Sequence, residues 1–230
     1  MGRAVYAASR RSSSVDAGRV THHSFSFGPH YDPANLGFGP LVCHNDDLLD
    51  PGAGYAEHPH SEMEIVTWVL EGALVHTDST GARHVVEAGR TQVLSAGSGV
   101  RHSEVADPGS GRCRFVQAWL TPSTAGTVPS YAVGEAPTGA SGLVAVVGGD
   151  ALPIGTTGAR LLVARMAAGD VVTLPDDPRQ HVFAATGALE LDGLALRGGD
   201  AASLTDEPGH VVRASEPTEL LVWSFATPAG

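Results

Sequence analysis

Cysteine is nearly absent: Cys43 and Cys113 are the whole supply in 230 residues. Two thiols cannot build a disulfide scaffold, so a small disulfide-rich secreted domain is excluded, and both are expected as small buried residues in a reducing compartment. Long apolar runs are missing as well. No stretch approaches the ~20 apolar residues of a membrane-spanning helix, and residues 1–20 lack an apolar core of signal-peptide length. A soluble, cytoplasmic protein without a membrane segment is the expectation. Positive charge is also short: 14 Lys and Arg face 25 Asp and Glu, giving a net charge of −11 with no basic stripe. Affinity for a phosphate backbone comes mainly from neutralising phosphates, so direct contact with nucleic acid is not expected. Arg10-Arg11 reads as a solvated N-terminal segment.

Glycine and proline are plentiful instead, at 29 and 15 residues. They interrupt the chain too often for long amphipathic helices and favour short strands joined by turns. Apolar residues at 42% supply real cores, and 230 residues suit two compact units of roughly 100 residues each. After an irregular aromatic arm at 21–40, strands are expected at 41–45, 57–71 (one or two), 73–78, 82–87, 91–95, 102–105 and 112–120. A Thr/Ser/Pro/Gly/Ala-rich stretch at 121–141 marks the connection between domains, with a boundary placed at 125/126. Beyond it the pattern repeats. Leu70-Glu71-Gly72-Ala73-Leu74 matches Ala185-Thr186-Gly187-Ala188-Leu189, Ala88-Gly89-Arg90 matches Gly198-Gly199-Asp200, and the Gly99 segment matches the Gly209 segment in the same order. The fold expected is all-β, with two similar barrels in tandem.

Two ligand pairs stand out: His58-Pro59-His60 and His102-Ser103-Glu104. Alternate residues of a strand share a face, so each pair aims both members into one cavity, and three imidazoles and a carboxylate can meet at one metal ion. By the same parity Glu62 and Glu64 share the face of His58 and His60. Matching Gly99 to Gly209 sets Val212 and Ala214 at the positions of His102 and Glu104, with Pro175 and Thr173 or Asp177 near those of His58 and His60. One metal site, in the first half alone, is therefore expected. The mixed N/O donor set suits Fe(II) and also accepts Mn, Co, Ni, Cu or Zn.

Gly52-x5-His58-x-His60-x3-Glu64 and Gly97-x-Gly99-x2-His102 resemble the two motifs of the cupin superfamily, small jelly-roll-like β-barrels with a metal in the mouth. The run from His58 to Gly72, His76-x-Asp78-Ser79-x-Gly81, the segment 95–104, Phe25-Ser26-Phe27 and 31–40 resemble the pirin family more specifically. That resemblance implies a bicupin: a metal-binding cupin domain with its arm over 1–125, and a metal-free cupin domain over 126–230. It carries the ligand roles to His58, His60, His102 and Glu104, while other cupins use the glutamate at the position of Glu64. It also implies quercetin 2,3-dioxygenase activity on a small aromatic substrate with dioxygen. Glu104 or Glu64 would take the hydroxyl proton, and Trp68, Phe115 or Trp119 would hold the rings. The alternative it implies is a metal-dependent redox sensor or transcriptional co-regulator that binds a protein partner. A monomer is expected.

Overall fold

The computed structural model describes residues 2–136, 142–206 and 208–226. Among these residues every regular element is a strand apart from one short 3-10 turn, Ala8–Arg10, and no helix is long and apolar enough to cross a membrane. The chain forms two compact units. One comprises Ser12–Glu135 with Leu152–Thr157, and the other Met1–Arg11, Ala136–Ala151 and Gly158–Gly230.

The first unit pairs two antiparallel sheets. The larger runs Ser130–Glu135, Arg90–Ser95, Glu64–Glu71, Cys113–Leu120, Leu41–Leu49, Arg19–His23, Ser12–Asp16, and the smaller runs Gly54–His60, Val100–Ala106, Ala73–Asp78, Arg83–Glu87. The inward rows change character along their length. Glu104, Gln117, His76, Thr67 and Asp47 give way, two or four residues on, to Ala106, Phe115, Cys113, Leu74, Val69 and Leu49, which pack as one buried apolar cluster. One end of the barrel is thus closed by hydrophobic packing while the other collects polar side chains.

The second unit repeats the plan. Its larger sheet runs Gly2–Tyr6, Ala201–Thr205, Arg179–Ala184, Thr218–Phe225, Ala159–Met166, Val144–Val147, and its smaller one Val171–Thr173, Val211–Ala214, Ala188–Leu191, Leu194–Arg197. The expected duplication is present down to single turns. Gly72 and Gly187 have φ of 71° and 72°. A Cβ on either would stand 2.2 Å from a carbonyl oxygen, of Arg112 and Pro217 respectively, so both turns require glycine.

The units do not divide at a single cut near 125/126. Strand Ser130–Glu135 pairs with Arg90–Ser95 and completes the first unit's large sheet. Strand Gly2–Tyr6 holds the matching edge of the second, beside Ala201–Thr205. Backbone pairing at a sheet edge depends on reach rather than order along the chain, which composition does not reveal. Of the 121–141 connection, 137–141 lie outside the described residues. Arg11, read as solvated, instead lies over the Phe183 ring at 5.2 Å. Cys43 and Cys113 are buried free thiols, as expected.

Candidate metal centre

Strands Gly54–His60 and Val100–Ala106 run antiparallel with His58 directly opposite His102 and His60 opposite Val100. The inward parity of both strands brings three imidazoles together: donor nitrogens of His58, His60 and His102 lie within 4.8 Å of one another. Ring centroids are separated by 4.5 Å for His58–His102, 4.8 Å for His58–His60 and 5.0 Å for His60–His102. His58 Nδ1 lies 2.8 Å from the Ala56 carbonyl, which can only accept, so Nδ1 carries the proton and Nε2 keeps its lone pair. His60 Nε2 and both ring nitrogens of His102 are buried with no hydrogen-bond partner. Buried polar atoms are ordinarily satisfied, and an orphan nitrogen on each of two clustered imidazoles is what a bound cation would complete. Burial, reinforced by the neighbouring imidazoles, lowers His60 to about 4 and His102 to about 3. Neutral imidazoles are the form that binds metal.

Glu104 sits two residues beyond His102 and belongs to a second group that shares it: donors of His76, His102 and Glu104 also lie within 4.8 Å of one another. Among the described residues these two groups are the clusters of this kind, and both are in the first unit. Glu104 is 1% exposed, and both its oxygens accept from side-chain amides, of Gln92 at 2.5 Å and Gln117 at 2.8 Å.

His76 was not singled out as a site residue from sequence. It stands opposite Glu104 in the pairing of Ala73–Asp78 with Val100–Ala106, fully buried, its ring stacked on Tyr131 with centroids 4.1 Å apart. Its Nε2 lies 3.0 Å from Asp78 Oδ2, which leaves Nδ1 as a buried lone pair without a partner. Burial raises the Asp78 carboxyl, but hydrogen bonds from Thr80, His76 and the Thr80 and Ala82 amides outweigh it and leave it below its usual range. A carboxylate behind an imidazole fixes its tautomer and raises its basicity, as in many metal sites. The signal available was His76-x-Asp78, another alternating pair on a strand. Asp47 was missed as well. Its Oδ1 accepts from Tyr55 at 2.6 Å and Thr21 at 2.5 Å, and burial pushes its carboxyl up to about 7.

Glu64 does not join either group. Its Oε2 accepts from Ser95 Oγ at 2.6 Å and the Gly155 amide at 2.9 Å. Parity fails between His60 and Glu64 because the strand ends at His60 and the chain turns through Glu62, with φ 51°, before entering the larger sheet. Glu62 caps the Gly126 amide instead. Trp68 and Phe115, at 1% and 0% exposure, are core residues. Trp119 is half-buried, its ring 5.0 Å from that of His60 at 76°. An open cavity of about 370 Å³, lined by Pro59, His60, Ser61, Ser79, Gly99 and Arg101, lies against the His60 side.

The chain shares its sequence and fold with known proteins. The pirin family profile matches residues 6–120. A Mycobacterium tuberculosis protein, provisionally named a quercetin 2,3-dioxygenase, is 42% identical over 91% of this chain and 89% of its own length. An Escherichia coli protein named quercetin 2,3-dioxygenase is 45% identical over 47% of each chain. Among solved structures, the bacterial pirin YhhW of Escherichia coli in complex with nickel(II) superposes with a TM-score of 0.90, covering 98% of this chain and 99% of that one at 28% identity. On the profile match and the near full-length relatives, this chain belongs to the pirin family.

Proposed function

We propose that the protein is a metal-dependent dioxygenase that opens a flavonol such as quercetin with dioxygen, at an ion held by His58, His60, His102 and Glu104. The observation that carries this reading is the convergence of the donor nitrogens of His58, His60 and His102, with buried nitrogens of His60 and His102 that have no hydrogen-bond partner. The names of the relatives supply the substrate class. A divalent ion of the iron(II) type, when bound, acts as a Lewis acid that acidifies the substrate hydroxyl.

The chain's own residues do the rest. Ala56 fixes the His58 tautomer, and Glu104, which lies beside His102, would receive the hydroxyl proton. Glu64, which lies outside both donor groups and accepts from Ser95 and the Gly155 amide, serves the fold around Gly155 rather than the reaction. The cavity beside His60 has the volume for a three-ring phenolic compound, and Arg101, ion-paired with Glu57 at 2.8 Å, is among its lining residues.

Aerobic incubation with quercetin tests the reading. Metal-loaded protein is expected to consume dioxygen and bleach the flavonol absorbance, while chelated protein and His102→Ala do neither. Metal binding without turnover would move the assignment to the sensor or co-regulator class.

A further inference from the structure

Glu104 is fixed by two amides, and the amides are fixed in turn. Gln117 could present either end of its side chain to the carboxylate; Trp119 decides which. The indole Nε1–H is 3.0 Å from Gln117 Oε1 and can only donate, so the amide oxygen must face Trp119 and the NH2 must face Glu104 Oε2, 2.8 Å away. Gln92 is held in the same sense. The Tyr131 hydroxyl donates to its Oε1 at 2.7 Å, and its NH2 meets Glu104 Oε1. The remaining amide hydrogens have a common acceptor in Thr67 Oγ1, at 3.2 Å from Gln92 Nε2 and 3.1 Å from Gln117 Nε2. Trp119 also packs across His60, and Phe27 of the arm packs against Trp119 at 5.4 Å, which confines the indole. One side chain thus touches one proposed ligand with its ring and steers another through Gln117.

The second unit shows that the fold does not need this arrangement. Thr67 pairs with both Gln92 and Gln117, and the corresponding trio there is Val182, Ala202 and Val222, all in the apolar core. The same frame therefore closes on hydrophobic packing alone. Three buried polar residues in place of apolar ones add desolvation cost to folding, and their hydrogen bonds end on Glu104.

We infer that Gln92, Gln117 and Trp119 are positioning residues that hold Glu104 and His60 in the arrangement that binds the ion. This rests on the metal centre proposed above. Partners behind a ligand commonly set metal affinity by about 10- to 100-fold.

The test is a Co(II) titration of the full-length chain, followed by visible absorption and by chelator competition, with thermal unfolding of the metal-free protein in parallel. Gln117→Leu removes the donor, and Trp119→Phe keeps the ring but removes the N–H. Both are expected to remain folded when metal-free, with Gln117→Leu lowered by up to about 10 °C because buried Glu104 loses one of its two amide donors, and Trp119→Phe by less. Co(II) affinity is expected to fall about 10- to 100-fold in Gln117→Leu and by a smaller factor in Trp119→Phe, with an altered Co(II) spectrum in both. Wild-type affinity and spectrum in both variants would overturn the inference, as would losses that merely track the unfolded fraction. Wild-type protein that binds no Co(II) would overturn the metal centre itself, a separate failure.

Discussion

The two units use one strand plan for opposite interiors, and the hydrogen bonds that close each small sheet show how. Gly52 N bonds Ala106 O and Asp107 N bonds Ala73 O in the first unit; Gly169 N bonds Ala214 O and Ser215 N bonds Ala188 O in the second. Ala214 therefore matches Ala106, and His102 matches His210, not Val212. The register read from Gly99 and Gly209 is two residues out because the hairpin and turns between these strands are shorter in the second unit. With Leu174 N bonded to His210 O, the positions of His58, His60, His102 and Glu104 are held there by Leu174, Asp176, His210 and Val212. One histidine remains, drawn to the Asp192 carboxylate. The second unit thus keeps one histidine at the mouth without the converging set, the carboxylate or the amides behind it.

Breaking the set should have the largest effect. His58→Ala or His102→Ala is expected to weaken metal binding by at least about 100-fold and to abolish flavonol turnover, as read by metal analysis after dialysis and by oxygen uptake. Transplanting the carboxylate the other way should harm the fold. Val212→Glu places an acid beside His210 in a core where Val182, Ala202 and Val222 offer no donors, and a loss of about 2–5 kcal/mol in chemical unfolding with no gain of metal is expected. Retained stability, or a second bound ion, would count against the role given to the amides.

Asp47 gives a pH test confined to the first unit. Its carboxyl is raised from 3.8 to about 7, so its contribution is fully present below pH 3.8 and is lost as pH rises through 7, because the unfolded chain releases the proton first. Asn keeps an oxygen for Tyr55 and Thr21. Asp47→Asn is therefore expected to flatten the stability profile between about pH 4 and 7 and to gain up to about 4 kcal/mol on wild type at pH 8. Identical profiles would refute the buried-acid assignment. His76→Leu, which installs the residue that matches it in the second unit, Leu191, is expected to cost about 10-fold in Co(II) affinity with the metal-free fold retained. The smallest effect is assigned to Glu64→Gln, with Co(II) affinity within about 2-fold of wild type, because Glu64 lies outside the donor cluster.

Much of this was legible in the sequence, and the limits have physical causes. Alternation within one strand is local, so the pairs His58/His60 and His102/Glu104 could each be read from spacing, and the structure brings His58, His60 and His102 into one donor group. Glycines that a turn demands, such as Gly72 and Gly187, revealed the duplication. Parity could not be carried across the break at Glu62, which misplaced Glu64, nor could register be carried across hairpins of unequal length, which hid His210. Gln92 and Gln117 depend on pairing between strands distant in sequence, which spacing alone does not encode, as does the place of the His76-x-Asp78 pair opposite Glu104. Edge strands such as Gly2–Tyr6 are set by which sheet they can reach.

Elemental analysis of wild-type protein and His102→Ala, each purified without added metal and dialysed, tests the central claim most directly. One transition-metal ion per wild-type chain and none in the variant is the result expected of a single centre in the first unit. A metal-free wild type, or a variant that keeps its ion, would contradict it.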